Sequence, residues 1–595
     1  MNKKVKWFLG ASSVLLLAAC GNNTAKQEEE VKKGDITQSK FPIKIDHEGT
    51  AISGGILKYA IVSDSPIEGV LNANYWLGAP DGEVVDFFDE SLFGSDSDLH
   101  FTERIGKLTL DKEKKEVTVT IKKDVKWSDG HPLTIDDYIY SFEVIGHKDY
   151  TGARYGDDFS NIIGMEEYHK GETDKISGIK KVDDYTVTFK VKELSPSIIQ
   201  SGGFWSSAMP KHIFSNIPIK DQAASDAVRV NPVGLGAFRV TKVVSGESVT
   251  LEANPYYWQG KPKIEGVVME VVNTTNASDE FAKGNYDIMS VPTSTSIYDS
   301  FKELDNATII GKWENTVNYV AFKLGKWDKE AEKIVTNPEA KAKDKVLRQA
   351  MGYALNSDAI ASQFYGDLRA RANTLITPTF SNLHSNIQKG YPYDVEKAKK
   401  LLDDAGYKDK DGDGFRETPK GEKLELKFAS MSGGDGEAIA QAMIKDWETI
   451  GVKVSLVGGR TIEFNTFYKK IQEDDPEVDI FSGAWGLGGD PNQNGLWGDS
   501  STNYARFVSE EQNKILKRMS SNEAFDPEKQ KEIFEEWQKY SNDQAYAIPF
   551  LYRTGLLAVN KRVKNWDITI DTSLNTVTNL HKVELLNSAP VASKK

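Results

Sequence analysis

The residue types that most often carry enzyme chemistry are sparse and scattered in this chain. Its eight histidines include no pair at the spacing of metal ligands. The sequence has no G-x-S-x-G elbow, no G-x-x-x-x-G-K-[ST] phosphate loop and no G-x-G-x-x-G fingerprint. The one cysteine is Cys20, which excludes thiol nucleophiles from everything that follows it. We therefore expect a protein that is not an enzyme and that needs neither a cofactor nor a metal.

One segment could still hold a metal ion. Residues 409–417 read Asp-Lys-Asp-Gly-Asp-Gly-Phe-Arg-Glu and copy the opening of an EF-hand calcium loop. That loop needs a bidentate Glu at its twelfth position, where this chain has Lys420. The alternative is a turn between a helix and a strand, because Asp and Gly tolerate left-handed backbone. Calcium binding by this segment stays open on the sequence alone.

Cys20 closes a segment with the pattern of an export signal. Lysines stand near the start, and an apolar run over residues 7–19 ends in small residues before the cysteine. The run is too short to span a bilayer, which takes about 20 apolar residues. It resembles the lipobox of bacterial lipoproteins. The resemblance implies a signal peptide over residues 1–19, lipid attachment to the Cys20 sulfur and display on the extracellular face of the cytoplasmic membrane.

The remainder of the chain must position any binding residues, and its pattern is that of a large globular body. Residues 20–50 are polar and charged, which predicts a flexible stalk. Beyond them strands and helices alternate, so the class is α/β with more than one core. Thr134 and Asp137 predict a capping box at a helix start, and residues 394–405 predict an amphipathic helix.

Composition narrows the choice of partner. The chain has 595 residues, 39% of them hydrophobic, which is enough for several buried cores. Its formal net charge is −14. This negative charge argues against a nucleic-acid ligand, because nucleic-acid-binding proteins need a basic surface patch.

The most specific signal is a series of short motifs in a fixed order. Each motif alone is a turn or a strand end, whereas their order over hundreds of residues is distinctive. The motifs span residues 121–130, 132–138, 231–238, 253–258, 283–288, 347–350 and 397–407. The series resembles the large peptide/nickel-type solute-binding proteins of ABC importers, and within that family the oligopeptide-binding lipoproteins of Gram-positive type. The resemblance covers residues 54–585.

This resemblance implies a two-lobed, periplasmic-binding-protein-like fold of class II. It implies an extra inserted domain and a hinge of crossing strands, with the ligand enclosed between the lobes. The predicted domains are lobe I over residues 51–95, 230–309 and 553–590, an inserted domain over 96–229 packed on lobe I, and lobe II over 310–552.

Residues 479–491 are suited to hold an extended peptide as an added strand. Their small residues let another backbone approach closely, and Trp485 offers an aromatic wall. In many members of the family an aspartate three residues after this tryptophan pairs with the peptide amino terminus, and here that position is Gly488. Either Asp490 substitutes for it, or the amino terminus is not fixed and longer peptides extend beyond the pocket.

The other candidates fall into three groups. Residues 68–70 follow the first strand, and residues 318–319 lie on a predicted hinge strand. Residues 430–432 end a strand before a helix, a place where ligands gather in α/β lobes. The predicted peptide-binding residues are Glu68, Gly69, Val70, Asn318, Tyr319, Ser430, Met431, Ser432, Gly483, Ala484, Trp485, Gly486, Leu487 and Asp490.

Together these features predict a monomeric, lipid-anchored receptor that captures extracellular oligopeptides and delivers them to a membrane ABC permease. Two alternatives remain. The same fold could bind an oligosaccharide, a nickel complex or a signalling pheromone peptide, although the scattered histidines disfavour nickel. A surface adhesin or sensor could also keep the fold without a role in transport.

Overall fold

A computed structural model describes residues 40–366, 368–569 and 579–595. The predicted signal peptide over residues 1–19, the predicted lipidation site Cys20 and the stalk up to residue 39 lie outside the described residues. Among the helices that the structure does describe, none combines the length and apolar character needed to cross a bilayer.

The largest sheet in the described part of the chain has eleven strands and runs through both lobes. Hydrogen-bonded neighbours follow one another in the order Lys453–Leu456, Glu425–Ala429, Ile480–Gly486, Ala307–Phe322, Ala547–Asn560, Ile288–Val291, Ile56–Val62, Gly266–Val272, Ser248–Ala253 and Phe238–Val244, while Arg369–Arg371 pairs beside Ala547–Asn560.

Two long antiparallel strands, Ala307–Phe322 and Ala547–Asn560, connect the halves of this sheet, and we call them the crossing strands. Their pairing is regular from Ala307 to Trp313, breaks at a bulge, and resumes from Val317. Strands of lobe I flank one side of the bulge and strands of lobe II the other. This arrangement confirms the predicted hinge of crossing strands.

Lobe I buries its own core, in which Tyr59 and Trp566 are fully enclosed. Its helices are Ala79–Phe88, Ala277–Ala282 and Thr295–Lys302. Part of the predicted stalk belongs to this body: Lys44–Ile45 pairs with Trp566–Asp567, and Gly311 donates its backbone N–H to the carbonyl of Pro42. The prediction that the flexible stalk extends to residue 50 is therefore wrong at its end, because residues 42–45 find backbone partners.

The inserted domain has an antiparallel sheet of Gly106–Asp111, Glu116–Ile121, Thr186–Lys190 and Ile179–Asp183. Helix Ile135–Gly146 packs on this sheet and begins with the predicted capping box, in which Thr134 N–H donates to Asp137 Oδ2 over 2.9 Å. Shorter helices are Asp157–Ser160, Met165–His169, Lys211–Phe214, Ile219–Gln222 and Asp226–Arg229.

Lobe II has the largest core, which encloses Trp447, Trp497 and Trp537. Its helices are Lys345–Ala354, Ser357–Tyr365, Val395–Asp404, Gly436–Glu448, Phe464–Gln472, Asn494–Trp497, Glu510–Met519 and Pro527–Gln544. Asp394 caps the predicted amphipathic helix by accepting a hydrogen bond from Lys397 N–H, which confirms that helix and its start.

Short elements complete the described chain. Two-stranded pairs are Phe93–Ser95 with Phe101–Glu103, Gly325–Asp328 with Lys333–Thr336, and Val563–Lys564 with Glu584–Leu585. The 3₁₀ turns are Pro196–Ile199, Thr274–Asn276, Val457–Gly459, Asn522–Phe525 and Leu580–Lys582.

Candidate ligand-binding cleft

Many of the predicted site residues meet at one edge of the lobe II sheet. Ala429 and Phe481 are paired on parallel neighbouring strands, and the chain beyond them forms this edge as residues 430–432 and 483–486. Ser432 N–H donates to the carbonyl of Ile462 over 2.8 Å, beside an open groove of about 450 Å³. The carboxyl ends of parallel strands are where ligands collect in α/β lobes, so the edge is well placed for binding.

The first crossing strand borders this edge. Asn318 and Tyr319 lie directly opposite Ala484 and Gly483. Asn318 is half-buried, whereas the Tyr319 side chain is 1% exposed and packs edge-on against Phe481. Tyr319 therefore supports the strand from the core in this conformation, and Asn318 is the more accessible of the two predicted residues.

The loop after strand Ile480–Gly486, residues 487–492, is fastened to the bulge of the first crossing strand. Leu487 N–H donates to the carbonyl of Asn315 over 2.9 Å, and the Asn315 side-chain amide donates to the carbonyl of Gly488. Thr377 in turn donates its hydroxyl to Asn315 Oδ1 over 2.5 Å. Gly488 has a φ of +61°, a backbone conformation that glycine adopts without strain. Asn315 thus ties the loop to the hinge.

The same loop also contacts the inserted domain. Gly489 lies so close to Ser201 that a Cβ atom on Gly489 would stand 1.6 Å from the Ser201 carbonyl oxygen. Asn492 approaches the Ser197 hydroxyl at 3.5 Å. We call residues 487–492 the junction loop, because it joins the lobe II edge, the hinge and the inserted domain.

Asp490 lies within this junction loop. Its carboxylate accepts hydrogen bonds from Asn492 N–H over 3.0 Å and from the Ser197 hydroxyl. Burial raises the pKa of the Asp490 carboxyl, and within the described residues this side chain forms no ion pair. A buried carboxylate of this kind is stabilised either by a proton or by a cation brought to it.

Three further contacts bridge the inserted domain and lobe II. Ser381 donates its hydroxyl to Asp98 Oδ1 over 3.0 Å, and Leu99 is buried against the lobe II core. The ammonium group of Lys112 stands 4.0 Å from the centroid of the Phe525 ring. The inserted domain therefore packs against lobe II as well as lobe I.

Glu68, Gly69 and Val70 have a different place. Gly69 N–H donates to Asp81 Oδ1 over 2.8 Å, and Arg229 donates to the Glu68 carbonyl over 3.0 Å. Val70 is half-buried in a small cluster shared with the inserted domain. The Gly69 N–H and the Glu68 carbonyl are thus bonded to lobe I and to the inserted domain. These contacts do not connect the segment to the lobe II edge.

A run of aromatic rings extends from Trp485 to the surface. Trp485 stacks on Tyr504 with ring centroids 5.1 Å apart, and Tyr504 contacts Tyr468 at 6.4 Å. Tyr468 packs against Phe464, which is 57% exposed. Sequence reasoning missed the last three rings. The only signal was the i, i+4 spacing of Phe464 and Tyr468, which is equally typical of a helix face packed in a core.

Two arginines at the hinge were also missed. Arg369 lies opposite Arg553 on the second crossing strand, and Arg553 forms an ion pair with Glu314 at the bulge. Arg369 stacks on Tyr365 at 3.7 Å and donates to Asn318 Oδ1 over 3.4 Å. The Nε atom of each arginine is buried without a partner in the described chain, and burial lowers the pKa of Arg369. Two neighbouring cations therefore lie beside a predicted site residue, and only Arg553 of the two forms an ion pair in the described residues.

The 409–417 segment behaves as a turn. Asp409 accepts hydrogen bonds from Gly412 and Gly414 N–H, over 2.7 and 3.0 Å. The Lys423 ammonium lies 2.7 Å from Asp411 and 3.0 Å from Asp413. The carboxylates are thus bonded to backbone N–H groups of the loop and to the Lys423 ammonium. This pairing favours a structural turn over a calcium site.

Comparison with known proteins places the chain in a family. Residues 104–506 match the family described as Bacterial extracellular solute-binding proteins, family 5 Middle. The oligopeptide-binding protein OppA of Lactococcus lactis subsp. cremoris is 33% identical over 584 residues, which is 95% of this chain and 96% of the relative. The oligopeptide-binding protein AppA of Bacillus subtilis is 28% identical over 450 residues, 73% of this chain and 74% of the relative.

Solved structures agree on the fold. Lactococcal OppA, complexed with an endogenous peptide in the closed conformation, matches with a TM-score of 0.74 and 32% identity, covering 89% of this chain and 100% of that chain. AppA from Bacillus subtilis, in complex with a nonapeptide, matches with a TM-score of 0.66 and 22% identity, covering 90% and 100%. The chain belongs to family 5 of the bacterial extracellular solute-binding proteins.

Proposed function

We propose that this protein captures oligopeptides outside the cell and delivers them to a membrane ABC permease. One observation carries the proposal: the chain matches lactococcal OppA, solved with an endogenous peptide, over 100% of that relative's length. The likeness therefore includes both halves of the sheet and the strands that connect them. A hinged pair of lobes can report its occupancy to a transporter, because the bound and empty states differ in shape.

The lobes of this proposal follow the predicted ranges. Lobe I comprises residues 51–95, 230–309 and 553–590, the inserted domain 96–229, and lobe II 310–552. Both crossing strands pass these boundaries near the bulge. We infer that the bulge is the hinge, since a break in ladder pairing is where two regular halves can bend.

The peptide backbone is proposed to lie along the lobe II edge. Gly486 leaves room there for a second backbone, which is proposed to pair as an added strand along Gly483 and Ala484. Trp485 and Met431 supply adaptable apolar walls, and Ser430 and Ser432 supply polar groups. Asn318 and Leu487 border the same edge, while Tyr319 supports it from the core. Glu68, Gly69 and Val70 are proposed to contact ligand from lobe I.

The charged ends of a peptide find opposite charges in two places. Glu314 pairs with Arg553 alone, and Arg369 forms no ion pair in the described residues, so a ligand carboxylate would complete their pairing. Asp490 forms no ion pair in the described chain, so a peptide ammonium would stabilise its ionised form. This assignment makes Asp490 the substitute for the aspartate that many family members carry at the position of Gly488.

The location and state of the protein are part of the proposal. Cys20 is proposed to carry a diacyl lipid, whose two buried chains hold more firmly than one chain at about 0.8 kcal/mol per buried methylene. The body would stand on the extracellular face of the cytoplasmic membrane as a monomer. It would perform no catalysis and need no cofactor, because its task is selective capture.

Titration calorimetry with defined peptides, coupled to small-angle X-ray scattering, tests this function. We expect saturable binding of peptides and a smaller radius of gyration in their presence. Oligosaccharides of similar size serve as the matched controls and should do neither. Binding of an oligosaccharide with no response to any peptide would overturn the proposal.

A further inference from the structure

A cluster of two histidines and one aspartate lies on the surface of the inserted domain, away from the lobe II edge. His212 Nε2 is 2.8 Å from Asp129 Oδ2, and His131 Nδ1 is 3.2 Å from the same oxygen. The two imidazole rings are stacked with centroids 4.1 Å apart. One donor atom from each residue falls within 4.8 Å of the other two.

The first part of this cluster is built on a firm turn. Trp127 N–H donates to the carbonyl of His131 over 2.8 Å, and Gly130 N–H donates to the carbonyl of Trp127 over 2.8 Å. Gly130 has a φ of +93°, and Trp127 is fully buried in the domain core. Asp129 Oδ1 accepts from His131 N–H over 3.1 Å, which orients the carboxylate and leaves Oδ2 for the rings. The turn therefore presents Asp129 and His131 side by side.

The second part is fastened to the same domain through Asp137. Lys211 N–H donates to Asp137 Oδ1 over 2.9 Å, and Met209 N–H donates to the Asp137 carbonyl over 3.1 Å. Met209 is fully buried. His212 follows directly, so its backbone is fixed opposite the turn although 83 positions separate it from Asp129.

We propose that Asp129, His131 and His212 bind one zinc ion, with water in the fourth position. Zinc takes imidazole nitrogen and carboxylate oxygen at about 2.0–2.2 Å, which places neighbouring ligand atoms of a tetrahedron roughly 3.3 Å apart. The separations of His212 Nε2 and His131 Nδ1 from Asp129 Oδ2, 2.8 and 3.2 Å, are close to that spacing. Small rotations of the partly exposed rings would bring their nitrogens toward one point, and the His131 side chain is 59% exposed.

The chemistry of the donors selects the class of ion. Imidazole suits zinc, copper and nickel, whereas calcium and magnesium prefer sites made entirely of oxygen. Without a metal, both rings direct a polar group at the single oxygen Asp129 Oδ2. A bound zinc ion takes the place of the protons on the ligating nitrogens, so binding releases protons when the rings are protonated. The ion links the turn to the segment of His212 and stabilises the inserted domain.

The test uses the full chain without an affinity tag, because a polyhistidine tag would itself bind zinc. The chain is stripped with a chelator, and zinc binding is measured by competition with a chromophoric chelator. We expect one zinc ion per chain and a higher melting temperature in its presence. His131→Ala and His212→Ala should each weaken zinc binding at least tenfold and remove the rise in melting temperature.

His147→Ala is the matched control. His147 Nδ1 stands 3.8 Å from Asp149 without a second histidine at that carboxylate in the described chain, so zinc binding should be unchanged. X-ray absorption of the zinc-loaded chain should show two imidazole ligands. If either alanine variant misfolds, His131→Gln and His212→Gln replace it, with circular dichroism as the check.

Two results would overturn the site: no stoichiometric zinc binding by the untagged chain, or equal zinc affinity in the parent and in the folded histidine variants. Peptide binding provides an independent readout. It should be the same before and after chelator treatment, because the cluster is separate from the lobe II edge. Failure of the zinc site would therefore leave the proposed peptide function intact.

Discussion

Two loops of lobe II share a composition rich in Gly and Asp, yet their partners come from different places. In the 409–417 turn, Asp409 accepts from Gly412 and Gly414, and Lys423 lies against the two other aspartates. In the junction loop, the partners are Asn315 at the hinge and Ser197 and Ser201 in the inserted domain.

This difference separates a local role from a long-range role. A loop whose carboxylates are satisfied nearby can be altered with local consequences. A loop held by residues of other domains transmits its changes to the relation between those domains. The pKa values agree with this contrast: burial raises the pKa of Asp490, whereas a hydrogen bond from Lys423 lowers the pKa of Asp413.

The largest effect should come from Gly489→Ala. A Cβ atom there would stand 1.6 Å from the Ser201 carbonyl oxygen, so the inserted domain must move away from the loop. Overpacking of this kind costs about 1–3 kcal/mol, which corresponds to roughly 5- to 150-fold weaker peptide binding if closure includes this contact. Titration calorimetry measures it.

Gly495→Ala is the control for that experiment, since beyond its chain neighbours and its own helix backbone no atom lies within 4 Å of its added Cβ. Its peptide affinity should equal that of the parent. Equal affinity in Gly489→Ala as well would show that the junction loop does not take part in closure.

Arg369→Gln should have the next largest effect. It removes a buried cation that lacks a full set of partners at the hinge. A hydrogen bond to a charged group contributes about 1.5–3 kcal/mol, so peptides with a free carboxyl terminus should bind at least about tenfold more weakly. Peptides with an amidated carboxyl terminus should be affected less.

Arg371→Gln, two residues along the same strand, provides the comparison because Arg371 already pairs with Asp358. Its affinity for both peptide types should stay near that of the parent. The same loss for free and amidated peptides in Arg369→Gln would mean that Arg369 serves the hinge and not a ligand carboxylate.

Asp490→Asn should produce a smaller effect on affinity. Asn keeps a side-chain oxygen at this position, so part of the contact with a peptide ammonium survives; peptides with a free amino terminus should lose about fivefold in affinity, about 1 kcal/mol, and amino-acetylated peptides less. Equal losses for the two peptide types would assign this carboxylate another role.

The pH dependence of stability should distinguish the two loops. A carboxyl with a raised pKa binds its proton more tightly in the folded state than in the unfolded state. Asp490 therefore lowers the stability of the ligand-free chain as the pH rises above about 4, the ordinary pKa of an aspartate carboxyl. Asp490→Asn should therefore raise the melting temperature at neutral pH and lose that advantage in acid.

The pKa of Asp413 is lowered, so this carboxylate stabilises the folded chain at pH values above about 4, the ordinary pKa of an aspartate carboxyl. Asp413→Asn should lower the melting temperature at neutral pH, and the difference should shrink in acid.

The smallest effect should be that of calcium on the 409–417 turn. Because Lys423 already lies against Asp411 and Asp413, about 1 mM calcium, the weak end of protein calcium sites, should leave the melting temperature unchanged. Differential scanning calorimetry checks this. A calcium-dependent rise that the Asp409→Asn variant lacks would restore the calcium hypothesis.

Local features of the fold could be predicted because their signals are local. The capping box of Thr134 and Asp137 and the cap at Asp394 involve side chains and backbone groups three positions apart.

The rest depends on partners that only the folded chain brings together. The contact between Gly489 and Ser201 and the pairing of Arg369 with Arg553 join segments from distant parts of the sequence. The spacing of the histidines likewise gave no indication that His131 and His212 stack. Strand register places Arg369 opposite Arg553, whereas the packing of loops and turns brings the other pairs together, and no short motif encodes either.

The most direct test of the central claim is mass spectrometry of the small molecules released when the purified protein is denatured. The account predicts a mixture of peptides with varied sequences, because the lobe II edge offers contacts to the peptide backbone. Release of a single oligosaccharide or metal complex, with no peptide, would contradict it.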